Sequence, residues 1–168
     1  GPDEPRYADV ARAMLRTGDY ITPHLYGAPW FEKPPLYYWL TSLTFRLGTN
    51  EVAARIPSAF AAACFLGFWF WFGRRFYGDC AAKLSCLMLA STVGWIGFAR
   101  AAAMDMLLST ALATALGLLA LWLWEEDIRG LYGFYALLGV ATLAKGPLAI
   151  ALAGMVVLGY VIHRREWS

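Results

Sequence analysis

Charge is scarce: only 15% of these 168 residues are Asp, Glu, Lys or Arg, and nearly half of them lie in the first third. An ordinary soluble domain is about a quarter charged. The net charge is +2 and the basic residues are scattered, which excludes a nucleic-acid binder. Cysteine is equally sparse. Cys64, Cys80 and Cys86 are odd in number, two of them lie inside apolar runs, and no disulfide framework or metal spacing is visible. The two histidines, His24 and His163, are too distant in sequence to form a local motif and read as interfacial or loop residues. There is no initiating Met, basic n-region or h-region. The chain therefore reads as an excerpt with artificial ends, and Gly1-Pro2 also fits a cloning scar. What is abundant is apolar: 60% of residues are hydrophobic and the mean hydropathy is +0.49, a membrane-protein composition.

Residues 1–55 hold two charged clusters. Asp3-Glu4-Pro5-Arg6-Tyr7 opens the chain, and Phe31-Glu32-Lys33-Pro34-Pro35-Leu36-Tyr37-Tyr38-Trp39 follows one loop later. From residue 5 to about 16, Tyr7, Val10, Ala11, Met14 and Leu15 recur at helical spacing, with Asp3 placed to cap and Gly18 to stop. This predicts an amphipathic helix lying on a bilayer. Residues 19–30, with Pro23, Gly27 and Pro29, read as a loop. Pro34-Pro35 opens a second helix to about Leu47, whose aromatics suit the headgroup boundary.

After Arg55 the sequence predicts spans at 56–73, 80–99, 105–124, 130–144 and 147–162. The last two are short. A single helix through Lys145-Gly146-Pro147 would run about 50 Å at 1.5 Å per residue, too long for one crossing. Two short spans meeting at a turn within the membrane are expected instead. With alternating spans, Arg74-Arg75 and His163-Arg164-Arg165 share a side, which the positive-inside rule makes cytoplasmic. Trp69, Trp71, Trp122, Trp124, Tyr132, Tyr135 and Tyr160 form an aromatic belt near it. The other side receives residues 1–55 together with Arg100, Asp105 and Lys145.

Ionisable groups at membrane depth cost a few kcal/mol each and persist where they pair or do chemistry. Here the set is Asp3, Glu4, Arg6, Glu32, Lys33, Arg100, Asp105 and Lys145. Carboxylates deprotonate hydroxyls or hold divalent cations. Arg and Lys hold a phosphate as its charge grows on leaving. Together they describe group transfer from a phosphate-linked donor.

The two opening clusters, Ala99-Arg100 through Met104-Asp105-Met106, and Leu143-Ala144-Lys145-Gly146-Pro147 resemble the N-terminal part of bacterial lipid-linked sugar transferases. These form the aminoarabinose transferase and protein O-mannosyltransferase superfamily, with the GT-C fold. The likeness covers essentially all 168 residues, and the Phe31–Trp39 run is its most specific part. It implies an all-α polytopic bundle with juxtamembrane helices in the first extracytoplasmic loop. It further implies a polyprenyl-phosphate sugar donor, a lipid (lipid A-like), glycan or protein acceptor, and a site facing the periplasm of a bacterial inner membrane. Asp3 is implied as the leading catalytic carboxylate, with Glu4 and Asp105 beside it. Arg6, Lys33, Lys145 and Arg100 are implied at the donor phosphate, and Glu32 as a ligand to acceptor or divalent metal. The family usually adds further spans and a soluble domain, so a chain of this extent is expected to be inactive alone.

Blander roles stand beside these. Asp3 and Asp105 fit helix N-caps, Glu32 and Lys33 a solvated pair, Arg100 an interfacial anchor and Lys145 a snorkelling cation. Glu51 and Arg55 fit a cap and anchor for the next span. The runner-up function is a transporter or flippase fragment for a lipid-linked substrate, and a non-catalytic scaffold is a third. A transporter places charges near the midplane and shows repeats, whereas here they gather at one face.

Overall fold

The structure is a computed structural model and describes residues 4–164, so Asp3 and Arg165 lie outside it. Its first element, α1 (Glu4–Thr17), buries Val10, Ala11 and Met14, the stripe that the 3.6-residue period marks. The following segment, read as a plain loop, contains a small hairpin, β1 (His24–Leu25) with β2 (Ala28–Pro29). Tyr26 and Gly27 both have positive φ, 53° and 83°, as a two-residue hairpin turn of the primed type requires. Asp19 shapes the approach to this hairpin. Its carboxylate accepts the Ile21 and Thr22 amides, each at 3.0 Å, and those bonds hold its carboxyl below the usual range.

Pro35 caps α2 (Leu36–Thr44), which tightens into a 3₁₀ turn at Phe45–Leu47 and stops at Gly48. Next comes α3 (Glu51–Tyr77), capped by Asn50, whose side chain accepts the Ala53 amide at 2.9 Å. At 27 residues α3 begins one turn before the apolar run 56–73 and ends one turn after it. Pro57 sits inside α3, so the Ala53 carbonyl has no amide donor four residues on. The Thr44 hydroxyl lies 2.7 Å from that carbonyl, nearer than its other acceptor, the Thr41 carbonyl at 2.9 Å. Beside it the Tyr37 hydroxyl donates to the Ala54 carbonyl at 2.8 Å. Burial pushes the Tyr37 phenol up to about 12, so it stays a donor at neutral pH. One missing N–H thus ties α2 to α3.

Thr44→Val keeps the shape and removes the donor. An orphaned carbonyl costs about 1–3 kcal/mol, so this variant is expected to melt at a lower temperature in detergent. An unchanged Tm would show that the Ala53 carbonyl needs no partner.

The run expected to form one span at 80–99 is broken. α4 (Asp79–Ser91) and α5 (Val93–Arg100) meet at Thr92 with a bend of 64°. Thr92 is extended, and its hydroxyl and that of Ser91 both donate to the Met88 carbonyl, at 2.9 and 3.0 Å. Hydroxyls thereby serve backbone that the break exposes to an apolar setting. Ala101 and Ala103 are extended, and the chain then enters α6 (Met104–Glu125). Ser58 of α3 donates to the Ala103 carbonyl at 3.1 Å, fixing where α6 begins.

α7 (Ile128–Lys145) packs densely along α6, and α8 (Leu148–Arg164) follows after Gly146-Pro147. Gly130 permits the α6/α7 approach: a Cβ there would lie 2.5 Å from the Leu118 carbonyl oxygen. Among the described residues α3 and α6 are long and apolar enough to cross a membrane, and α4 with α5 forms a third, bent candidate. α7 and α8 have 18 and 17 residues, about 25–27 Å each, and approach one crossing apiece. Contacts within the bundle fall largely to small residues, Ala115, Ala141, Ala149 and Ala153, which let helix backbones come close.

Two ends result. At one, α1 and α2 lie over the starts of α3 and α6 and the end of α7, around a core that includes Val10, Met14, Tyr37, Tyr38, Ala54, Met104 and Ala144. At the other, Arg75 grips Glu125 through two nitrogens at 2.7 and 2.5 Å while stacking over Trp71. Arg74 pairs with Asp79 there at 3.5 Å.

Candidate active site

Every described residue singled out from the sequence lies at the end covered by α1 and α2, but they divide among separate places. A cavity of about 350 Å³ is walled by the hairpin approach, the segment before α2 and the α7–α8 turn. Glu32, Lys33 and Lys145 line it together with Pro34, Pro35 and Pro147. Residues 113 positions apart in sequence thus share one concave surface because α7 returns to the end where α2 begins. Lys33 lies 3.5 Å from the Glu32 carboxylate, long for a hydrogen bond, which leaves its ammonium with donors to offer.

Lys145 is the last residue of α7, where the helix carbonyls favour a cation. Gly146 follows with φ +79° and donates its amide to Thr142 at 2.7 Å, so the chain turns sharply into α8. Asp105 stands in the first turn of α6, where the amides favour an anion. The Lys145 ammonium donates directly to the Asp105 carboxylate, closing the two helix ends on each other. Both side chains remain partly exposed, 29% for Lys145 and 44% for Asp105.

Glu4 occupies a second cavity, of about 460 Å³, with Arg12, Asn50, Glu51 and Arg55. Arg55 lies 3.7 Å from both Glu4 and Glu51, and the Ala102 amide faces the Glu4 carboxylate. Arg6 and Arg100 are exposed and line neither cavity. Asp3 precedes Glu4 in the chain and lies outside the described residues.

From the sequence alone Arg55 fits an anchor for α3. Only its spacing of four from Glu51 was visible, and nothing in the sequence joins it to Glu4. Arg12, which pairs with Asp9 at 2.9 Å and lies over the Phe45 ring, also reaches this cavity without a signal of its own.

The chemistry open to the first cavity is anion capture: two lysines line a space of about 350 Å³, room for a phosphate and part of a sugar. A resident divalent ion would need about six oxygen ligands. Among the described residues no three His, Cys, Asp or Glu side chains gather to hold one, and Glu32 is the only carboxylate on this cavity. These residues alone do not fit a metal.

Comparison with known proteins identifies the family and the fold. Residues 32–168 match the family described as dolichyl-phosphate-mannose-protein mannosyltransferase. The chain is 34% identical over 175 residues to an undecaprenyl phosphate-alpha-4-amino-4-deoxy-L-arabinose arabinosyl transferase of Edwardsiella ictaluri, a match covering 99% of the chain and 31% of that protein. A protein of the same name from Pseudomonas aeruginosa is 35% identical over 174 residues, again 99% and 31%. The chain spans about a third of the length of these relatives. Crystal structures of ArnT from Cupriavidus metallidurans, in the apo state and bound to undecaprenyl phosphate, each superpose with a TM-score of 0.94 at 31% identity. Those matches cover 99% of this chain and 32% of the solved one. The chain therefore belongs to the dolichyl-phosphate-mannose-protein mannosyltransferase family, as a multi-pass membrane chain with the GT-C fold.

Proposed function

We propose that the whole protein transfers a sugar from a polyprenyl-phosphate donor to an acceptor of the lipid A type at the extracytoplasmic face of a bacterial inner membrane. The observation that carries this reading is the single cavity that Lys33 and Lys145 line together with Glu32. The relatives whose names specify an undecaprenyl-phosphate-linked aminoarabinose, and the related ArnT solved with undecaprenyl phosphate bound, support it. The facing rests on Arg74, Arg75 and Arg129, which lie in or beside the short connections at the opposite end.

In this mechanism the donor phosphodiester lies against Lys33 and Lys145. The bond from the anomeric carbon to the phosphate oxygen breaks, and its electron pair stays on that oxygen. The singly charged diester becomes a doubly charged monoester while an acceptor oxygen bonds the anomeric carbon. Both ammonium groups interact more strongly with the leaving phosphate than with the intact donor, the condition for accelerating the step. Asp3 takes the proton of a hydroxyl acceptor. A phosphate acceptor is already anionic, and Asp3 then orients it. Arg6 and Arg100, at the same end of the bundle, add positive charge near this site, and Glu32 keeps Lys33 in place and meets the acceptor.

The test is transfer of radiolabelled sugar from an undecaprenyl-phosphate donor by the whole protein in membranes. Label appearing in the lipid acceptor supports the reading. Movement of the donor lipid across the bilayer with no transfer would replace it with a transporter.

A further inference from the structure

Within the donor cavity each cation already has a carboxylate. Lys33 sits by Glu32, and Lys145 donates to Asp105. The four formal charges cancel. Such a cluster treats the two phosphates of the reaction differently, because an incoming anion must compete with a carboxylate for each ammonium. A monoester at neutral pH carries about −1.5 to −2 and asks for more of that charge than a diester at −1. Glu32 lines the cavity and would touch the ligand itself, whereas Asp105 does not line it and reaches it through Lys145 alone.

We infer that Asp105 is a positioning residue that sets the charge preference of the site: by sharing the Lys145 ammonium, it lowers affinity for the spent prenyl phosphomonoester more than for the phosphodiester donor, and so hastens product release. This rests on the reading that the cavity holds the donor phosphate. Asp105 draws on the amide end of α6 and Lys145 on the carbonyl end of α7, so each keeps local support when the other is neutralised. Removing the Asp105 charge therefore leaves Lys145 present at the cavity and less engaged.

A role in merely holding the two helix ends together predicts the opposite sign. Loss of the pair would then loosen the cavity and weaken every ligand alike.

The experiment measures binding of two probes to the whole protein in nanodiscs: undecaprenyl phosphate as monoester, and its methyl ester as a diester that cannot transfer. Asp105→Asn is expected to bind the monoester about two- to fivefold more tightly, the range of a partly exposed ion pair, and the diester as wild type does. Asp105→Glu restores the wild-type ratio. Inhibition of transfer by added undecaprenyl phosphate sharpens in Asp105→Asn by the same factor. If Asp105→Asn weakens both probes together, or leaves their ratio unchanged, while Lys145→Ala weakens both, the inference is overturned and the donor site stands. If wild type binds neither probe, or Lys145→Ala changes neither affinity, the donor-site reading has failed and this inference falls with it.

Discussion

Replacing Lys33 and Lys145 together by Ala is expected to weaken binding of undecaprenyl phosphate to the whole protein by about 10²- to 10⁴-fold, since a hydrogen bond to a charged group contributes about 1.5–3 kcal/mol and two are lost. The two lysines come from distant parts of the chain, one before α2 and one ending α7, and face one cavity of about 350 Å³. Neither is buried by protein, so their charge remains available to a ligand. Each single variant is expected to show a smaller loss, and the two losses will not add, because both ammonium groups address one phosphate. Arg100→Ala, changed at an exposed position on neither cavity, is expected to lose less than either. Equal binding by wild type and the double variant would place the phosphate elsewhere.

Asp3→Asn carries the second large effect. A positioned general base contributes about 10²- to 10⁴-fold, so transfer to a hydroxyl acceptor is expected to fall by that factor while donor binding persists. The split matters more than the size. If binding and transfer fall together, Asp3 holds the start of α1 and does no chemistry. Glu4 next to it is engaged by Arg55 at 3.7 Å and by the Ala102 amide, and is poorly placed to substitute. A phosphate acceptor would show a smaller rate effect, because it brings no proton to remove.

Where the sequence spoke clearly, one physical signal dominated. The stripe Val10, Ala11, Met14 marked the buried face of α1, Gly18 and Gly48 marked ends, and the apolar runs with their charged junctions marked α3 and α6. The break at Thr92 was not legible. Ser91-Thr92 carries no Pro, and hydroxyls that serve the Met88 carbonyl look no different in sequence from hydroxyls within an unbroken span. The Tyr26-Gly27 turn was half legible, since Gly27 announces positive φ and Tyr26 does not.

The site followed the same division. Alternating spans put Glu32, Lys33, Asp105 and Lys145 at one end, which topology alone predicts. Pairing was beyond reach: Lys145 with Asp105, and Arg55 with Glu4, are contacts across 40 and 51 residues, decided by which helix ends abut. The bond from Thr44 to Ala53 shows what such reading can recover afterwards, because Pro57 required a donor and the fold supplied one.

The central claim is that the donor phosphate sits between Lys33 and Lys145. Its most direct test is a cryo-EM structure of the whole protein in nanodiscs with a non-transferable phosphonate analogue of the prenyl-phosphate sugar. The account predicts phosphonate oxygens about 2.7–2.9 Å from both ammonium nitrogens, with Glu32 alongside. Density for the phosphonate in the Glu4 and Arg55 cavity, or away from both lysines, would contradict it.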